Sequence, residues 1–249
     1  MKILLAPSET KRPGGTGAFD PCTLLFEELC PLRETLMERY RTILRSGDNE
    51  AIHAIFGLKK ETEIARYLAL DPRGAPAMKA VERYTGVAFD HLDYASLSLE
   101  AQKYVEEHVV IFSNLFGPIL AGDLIPDYRL KQGAPLGEIR TEVRYREAAT
   151  PLLDAFLSSE EILDLRAGYY DKFYNPSLPL TTLKFLKGGK VVSHWAKAYR
   201  GTVLRHLARE SVGTLTEFMA LPIPGLELEE IRERNKRREL IYTIDESRL

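Results

Sequence analysis

Residues 2–6 read Lys-Ile-Leu-Leu-Ala and are followed by Pro7, and this short apolar run is typical of a buried β-strand. Further strand-like runs lie beyond residue 140, and helical spacing of apolar residues fills the segments between. Strands at both ends with helices between them predict a mixed α/β (α+β) fold, in which residues 2–6 join a sheet built mainly from the second half. The expected later strands are 162–166, 183–186, 190–195 and 240–244.

The helical patterns occupy most of the first half of the chain. From residue 21 to residue 45 the apolar residues recur at helical spacing, with Pro31 as the expected break. The other expected helices are 50–56, 61–70, 75–84, 99–110, 148–157, 198–209 and 214–221. No repeat or linker interrupts this order. We therefore expect residues 1–249 to form a single compact domain, a central mixed sheet surrounded by helices.

The composition is that of a soluble globular protein. Of 249 residues, 45% are hydrophobic and 28% are charged, which excludes disordered, collagen-like and coiled-coil proteins. No apolar run approaches the ~20 residues that cross a bilayer, and residues 1–7 are too few for a signal-peptide core. We expect a cytoplasmic protein without membrane contact. Cys22 and Cys30, if they share a helix, lie too far apart to bridge, so we expect reduced thiols.

Positive charge is concentrated in one segment. Residues 184–209 contain seven basic and no acidic side chains, so the rest of the chain carries −9 when the whole carries −2. On a helix, four positions form an arc of about 120°, with Arg200 at its margin: Lys197, Gly201, Arg205 and Arg209. The opposite face is expected in the core: Tyr199, Val203, Leu204 and Leu207. This pattern favours a polyanion site, in which Gly201 lets a phosphate approach the backbone; the alternative is a solvated helix face.

Two other basic segments differ in character. Residues 52–65 join two helical patterns at Gly57, with Lys59 and Lys60 beginning the second, a design used by helix-hairpin-helix units that hold a DNA backbone. The same kind of turn is common in proteins that do not bind DNA. In residues 229–239 acidic and basic residues alternate and their charges nearly cancel, which favours a solvated turn or short helix.

Signals of catalysis and of metal binding are weak. The chain has no GxSxG, GxGxxG or GxxxxGK[ST] motif, and its five histidines lack metal-ligand spacing. We expect no cofactor and no metal site.

Three segments in the middle of the chain carry a family resemblance. They are Tyr84-Thr-Gly86, Ser113-Asn-Leu-Phe-Gly117 and Asp123-Leu-Ile-Pro-Asp-Tyr-Arg-Leu-Lys-Gln-Gly133. In order and spacing they resemble the YxG, SGLYG and LDLIxPYRLEMG signatures of the YaaA peroxide stress family. Residues 1–10, 164–170 and 191–201 resemble other family motifs. The end of the chain resembles the closing family hairpin, which places Leu226 and Leu240 on strands.

The resemblance implies a cytoplasmic α/β protein with a positively charged cleft and a helix-hairpin-helix. It also implies a role in peroxide stress, through limited free iron and protection of DNA. The implied partner is double-stranded DNA, bound without sequence preference, and no obligate protein partner is evident. The candidate DNA-binding residues are Lys197, Arg200, Gly201, Arg205, Arg209, Tyr128, Arg129, Lys131, Gly57, Lys59 and Lys60.

Three departures from the family pattern remove charge from the implied cleft. Glu9 replaces a lysine, Leu120 an arginine and Tyr169 a glutamate. The alternative function is an enzyme that acts on a phosphorylated small molecule or nucleic acid in the same cleft. Its plausible polar residues are Ser113, Asp123, Tyr128 and Arg129, although their spacing establishes no nucleophile–base pair.

Overall fold

A central mixed sheet organises the computed structural model, which describes residues 1–245 except for the side chains of Ser193 and His194. The sheet has eight strands in the order β4-β3-β1-β6-β7-β10-β9, with β8 paired to β7, and a separate small sheet joins β2 to β5. The strands are β1 (Lys2–Leu5), β2 (Ala77–Lys79), β3 (Val109–Ser113), β4 (Gly117–Leu120), β5 (Leu124–Pro126), β6 (Ile162–Asp164), β7 (Leu180–Lys187), β8 (Lys190–Val191), β9 (Leu226–Arg234) and β10 (Arg237–Ile244).

The middle of the sheet is parallel and its edges are antiparallel. In β1, Ile3 lies opposite Val109 of β3 on one side and opposite Leu163 of β6 on the other, with both pairings parallel. Central strands of this kind are covered on both faces, which explains why β1 and β3 are continuous apolar runs rather than alternating ones. The carboxyl ends of β1, β3 and β6 therefore meet at one edge of the sheet.

Helices surround this sheet, and their ends follow local sequence signals. Asp48 and Ser98 accept hydrogen bonds from the first turns of α2 and α6, and Thr214 and Glu217 form a capping box at α9. The helices are α1 (Cys30–Arg45), α2 (Asn49–Phe56), α3 (Glu61–Leu68), α4 (Ala80–Arg83), α5 (Val87–Leu92), α6 (Leu99–His108), α7 (Thr141–Leu157), α8 (Ser193–Arg209) and α9 (Leu215–Ala220).

The predicted mixed α/β class with a central mixed sheet is confirmed, and several predicted elements are wrong. Residues 75–84 contain β2 before α4, and the expected helix 99–110 ends at His108, where β3 begins. The expected strand 190–195 stops at Val191, and α8 follows. Pro31 does not break a helix but lies in the first turn of α1, where its missing N–H leaves no hydrogen bond unmade. Of the eight strands described in the central sheet, five lie in the second half of the chain, and β1 joins them as expected.

The alternating charges near residue 235 belong to a β-hairpin rather than to a helix or solvated turn. In the β9–β10 pairing Arg238 lies opposite Glu233, and their side chains form an ion pair of 2.9 Å. Opposite charges that face each other across two strands stabilise the pairing. The hairpin implied by the family resemblance, with Leu226 and Leu240 on strands, is confirmed.

The expectation of two reduced cysteines is also wrong in this structure. Cys22 and Cys30 form a disulfide, and their Cα atoms are 4.7 Å apart. The two residues do not share a helix: Cys30 begins α1, whereas Cys22 lies in a preceding loop that folds back over the start of that helix. Arg33 lies beneath this loop with no exposed surface and donates hydrogen bonds to its carbonyl oxygens, including that of Phe26 at 2.9 Å.

Candidate functional site

A cavity of about 390 Å³ lies where β1 and β6 end. Its walls come from the loop after β1, the segment after β6, the start of α5, the loop after β5 and the first half of α8. Because β1 pairs with β3 on one side and β6 on the other, this edge is a point where the direction of chain crossover reverses, the usual position of ligand sites in open α/β sheets. The polar lining includes Ser8, Glu9, Thr10, Gln132, Lys197 and Arg200.

Two cations of α8 face this cavity. Lys197 is exposed and Arg200 is half-buried. Burial lowers the pKa of Arg200, an effect that Asp164 partly opposes. In the part of the chain that the structure describes, neither side chain has an ion-pair or hydrogen-bond partner. These two predicted residues are therefore available to an anion.

The rest of the basic arc of α8 divides between exposure and packing. Arg209 is exposed at the end of the helix. Arg205 instead donates hydrogen bonds of 2.9 Å to the carbonyl oxygens of Leu92 and Asp93. Arg205 thus secures the end of α5 and is not free for a phosphate.

Gly201 does not provide a phosphate approach. A Cβ atom at this position would lie 2.0 Å from the carbonyl oxygen of Ala88, so the glycine allows α8 and α5 to touch. The space expected for a phosphate is filled by α5. The predicted core face of the same helix is confirmed, since Tyr199, Val203, Leu204 and Leu207 are all buried.

Arg129 is not a surface phosphate ligand. It is 7% exposed and forms an ion pair of 2.8 Å with Glu9. Its Nε donates to the carbonyl oxygen of Phe56 at 2.9 Å. The other carboxylate oxygen of Glu9 accepts a hydrogen bond from the backbone N–H of Gln132 at 3.1 Å. The departure from the family lysine at residue 9 therefore creates a pair that joins the loop after β1 to the loop after β5.

Tyr128, one of the candidate DNA-binding residues, is a core residue. Only 1% of its surface is exposed, and its Oη lies 2.8 Å from the Ser113 Oγ and 2.9 Å from the Tyr84 Oη. Burial raises its pKa well above the ordinary tyrosine value. The tyrosine therefore cannot stack on a nucleic-acid base.

Lys11 follows Glu9 by two residues and lies against this tyrosine pair. Its Nζ is 4.0 Å from the centre of the Tyr128 ring and donates a hydrogen bond of 3.2 Å to the carbonyl oxygen of Ser8. Burial lowers its pKa to about 7, although the nearby Asp127 carboxylate acts in the opposite direction. Lys11 thus holds the cavity-lining loop against the core.

Two further buried charges were missed. Arg83 has no exposed surface and donates hydrogen bonds to the backbone carbonyls of four residues, including Ile125. Asp127 forms an ion pair with Arg66, and burial raises its pKa. Arg83 precedes the Tyr84-Thr-Gly86 motif and Asp127 lies within the 123–133 segment. Adjacency to these motifs was the available signal.

The α2–α3 turn lies beside the same segment. Gly57 ends α2 with a left-handed φ of 61°, and a Cβ there would meet the Lys131 side chain at 2.5 Å. Lys131, Lys59 and Lys60 are all exposed. Lys60 lies 3.8 Å from Glu63, and the first turn of α3 carries two glutamates. The turn therefore presents cations, with acidic residues next to them.

The proposed enzyme residues do not converge on the cavity. Ser113 and Tyr128 bond to each other in the core, and Arg129 is occupied by Glu9. The Asp123 carboxylate accepts backbone hydrogen bonds of 2.9 Å from Leu25 and Leu120. Each of these groups is engaged in holding the fold.

Within residues 1–245 no group of three or more His, Cys, Asp or Glu side chains is arranged to hold a metal ion. No helix in that range is long and apolar enough to span a bilayer.

Comparisons with known proteins give one consistent result. The family model described as "Peroxide stress protein YaaA" matches residues 1–232. The uncharacterized protein Cj0984 of Campylobacter jejuni is 39% identical over 245 residues, covering 98% of this chain and 99% of the relative. A UPF0246 protein of Corynebacterium efficiens is 36% identical over 216 residues, covering 84% and 85%. One from Streptomyces coelicolor is 32% identical over 236 residues, covering 91% and 89%. The chain therefore belongs to the YaaA peroxide stress protein family.

Proposed function

We propose that this protein binds double-stranded DNA through a basic surface formed by α8 and the α2–α3 turn, and that it does so in the response to peroxide stress. The observation that carries the proposal is the pair Lys197 and Arg200, which has no counter-ion among the described side chains. Unpaired cations on an otherwise acidic protein attract phosphates because the local potential is positive.

The segment 129–132 connects the two parts of this surface. Gln132 lines the cavity beside α8, while the backbone N–H of Lys131 donates to Ile55 of α2 at 2.7 Å. A duplex that contacts Lys197 would find Lys131 and Lys59 attached to the same framework. The contacts are all with phosphates, so binding carries no sequence preference.

The link to free iron belongs to the same proposal and is indirect. The family name connects the chain with peroxide. No residue is assigned to iron.

The test is fluorescence anisotropy of a labelled random duplex, titrated at several salt concentrations. Each phosphate contact contributes about −0.9 to the slope of log affinity against log salt. Lys197→Ala combined with Arg200→Ala should make that slope less steep by the contribution of about two phosphate contacts, and should weaken binding at low salt. Lys103→Ala combined with Arg144→Ala removes two exposed cations elsewhere and serves as the control. Equal affinity of the two double variants at matched salt would contradict the proposal.

A further inference from the structure

The cavity beside α8 has the size of a small-molecule site. Its volume of about 390 Å³ falls within the range of known ligand pockets, roughly 300–1,000 Å³. A rigid duplex cannot enter such a space, so the basic surface alone does not explain it. The cavity also lies at the carboxyl ends of parallel strands, where α/β folds place their ligands.

One wall of the cavity is suited to a phosphate. Lys197 and Arg200 are one helical turn apart on α8 and lack counter-ions among the described side chains. The hydroxyls of Ser8 and Thr10 lie 3.1 Å from each other on the neighbouring loop. Gly86 faces them, and a Cβ there would lie 3.2 Å from the Ser8 Oγ. Two cations and two small hydroxyls offer several donors to one anionic group.

Another wall accepts N–H donors. The Glu9 carboxylate is held by Arg129 at 2.8 Å and by the backbone N–H of Gln132 at 3.1 Å, yet its side chain is 38% exposed. Each carboxylate oxygen has a second lone pair. A fixed carboxylate pairs well with the amino and imino edge of a nucleobase. The remaining lining is largely apolar and includes Phe89, Leu165 and Tyr170, a surface suited to a flat ring.

We propose that this cavity binds one nucleoside monophosphate unit, with its phosphate at Lys197 and Arg200 and the N–H edge of its base at Glu9. Guanine fits best, because adjacent imino and amino groups can both donate to one carboxylate. The unit is either a free nucleotide or a nucleotide extruded from a strand. The proposal shares two cations with the DNA-binding surface, but its base-binding half rests on the cavity alone.

Isothermal titration calorimetry with GMP, guanosine and UMP tests the proposal. GMP is expected to bind more tightly than UMP. Ala167→Phe fills the cavity without changing charge and should weaken GMP binding at least tenfold, whereas Ala155→Phe, on an exposed face of α7, should not. Lys197→Ala combined with Arg200→Ala should weaken the binding of GMP and leave the binding of guanosine, which has no phosphate, unchanged. This second comparison serves if the phenylalanine variant does not fold.

Duplexes with and without a single unpaired guanine distinguish the two sources. If Ala167→Phe weakens binding only to the duplex with the unpaired guanine, the bound unit is an extruded nucleotide. If the same substitution weakens GMP binding and leaves binding to both duplexes unchanged, the bound unit is a free nucleotide. Both results support the site. The proposal is overturned if Ala167→Phe weakens binding of neither GMP nor the duplex with the unpaired guanine. If the phenylalanine variant does not fold, the proposal is overturned when the double variant weakens GMP binding no more than guanosine binding. If the wild-type protein binds GMP but does not bind duplex DNA, only the proposed function is overturned.

Discussion

At residue 9, one departure from the family pattern changes the role of Arg129. Where the family pattern has a lysine, this protein has Glu9, and its carboxylate neutralises Arg129 of the Tyr-Arg-Leu-Lys segment. Arg129 is 7% exposed, so the pair replaces water that the guanidinium would otherwise need. A charge that looks like a ligand in the sequence is thus part of the framework behind the cavity.

Lys11 makes stability depend on pH. Its native pKa is about 7, whereas the unfolded chain keeps the proton up to the ordinary value of 10.5. Between these values the unfolded state binds more protons, so the free energy of unfolding rises with pH relative to a Lys11→Met variant. We expect the difference between wild type and variant to shift in favour of wild type by about 2 kcal/mol from pH 7 to pH 9.

Urea denaturation of both proteins at pH 7, 8 and 9 measures this shift. Because the two proteins share every other titrating group, the variant serves as the control for the wild type. A difference that stays constant over this range would mean that Lys11 is fully protonated in the native protein.

At the scale of elements, the contact between α5 and α8 requires Gly201. Because a Cβ would lie 2.0 Å from the backbone oxygen of Ala88, Gly201→Ala must push the helices apart. We expect a loss of about 1–3 kcal/mol in the free energy of unfolding. Gly74→Ala is the matched control, since a Cβ there meets nothing within 4 Å. Denaturant unfolding of both variants measures the two free energies of unfolding. Equal midpoints would show that α8 does not pack closely against α5.

The loop before α1 depends on the Cys22–Cys30 disulfide. The two cysteines are 8 residues apart in sequence, and closing a loop of this length stabilises the fold by about 2–3 kcal/mol in the chain-entropy model. We expect Cys22→Ser combined with Cys30→Ser to lose that amount in oxidising buffer. Reductant should bring the wild type down to the level of the double variant. Thiol titration of the unfolded wild type without reductant should find no free thiol, and finding two would refute the pairing.

At the scale of the whole molecule, the two basic regions flank the segment 129–132 and should act together on a duplex. Lys59→Ala combined with Lys131→Ala is expected to lower the salt slope by up to about two contacts. Its effect should add to that of the Lys197 and Arg200 substitutions, because no hydrogen bond or ion pair between described side chains joins the two regions. Anisotropy with the quadruple variant measures the sum. If α8 alone contacts DNA, the Lys59 and Lys131 substitutions will leave the slope unchanged.

Much of the architecture could be predicted from local pattern. The run 2–6 and the apolar face of α8 each carry their own signal, and each lies as expected. The strand β3 was missed because its buried apolar run continues the pattern of α6 without punctuation. The strand β9 was implied by the family resemblance but not by local pattern, because its charges pair across a hairpin that local spacing does not reveal.

The amino-acid sequence by itself determined the fold class, the family and the concentration of positive charge in residues 184–209, because these depend on composition, periodicity and ordered motifs. Only the tertiary structure decided which basic side chains, inside and outside that segment, are free of partners. Arg129 is paired with Glu9, 120 residues away, and Arg205 donates to the carbonyl oxygen of Asp93, 112 residues away. Lys197 and Arg200 instead face a cavity. Spacing along the chain carries no record of such distant partners, since burial and pairing are set by how the sheet and helices close upon one another.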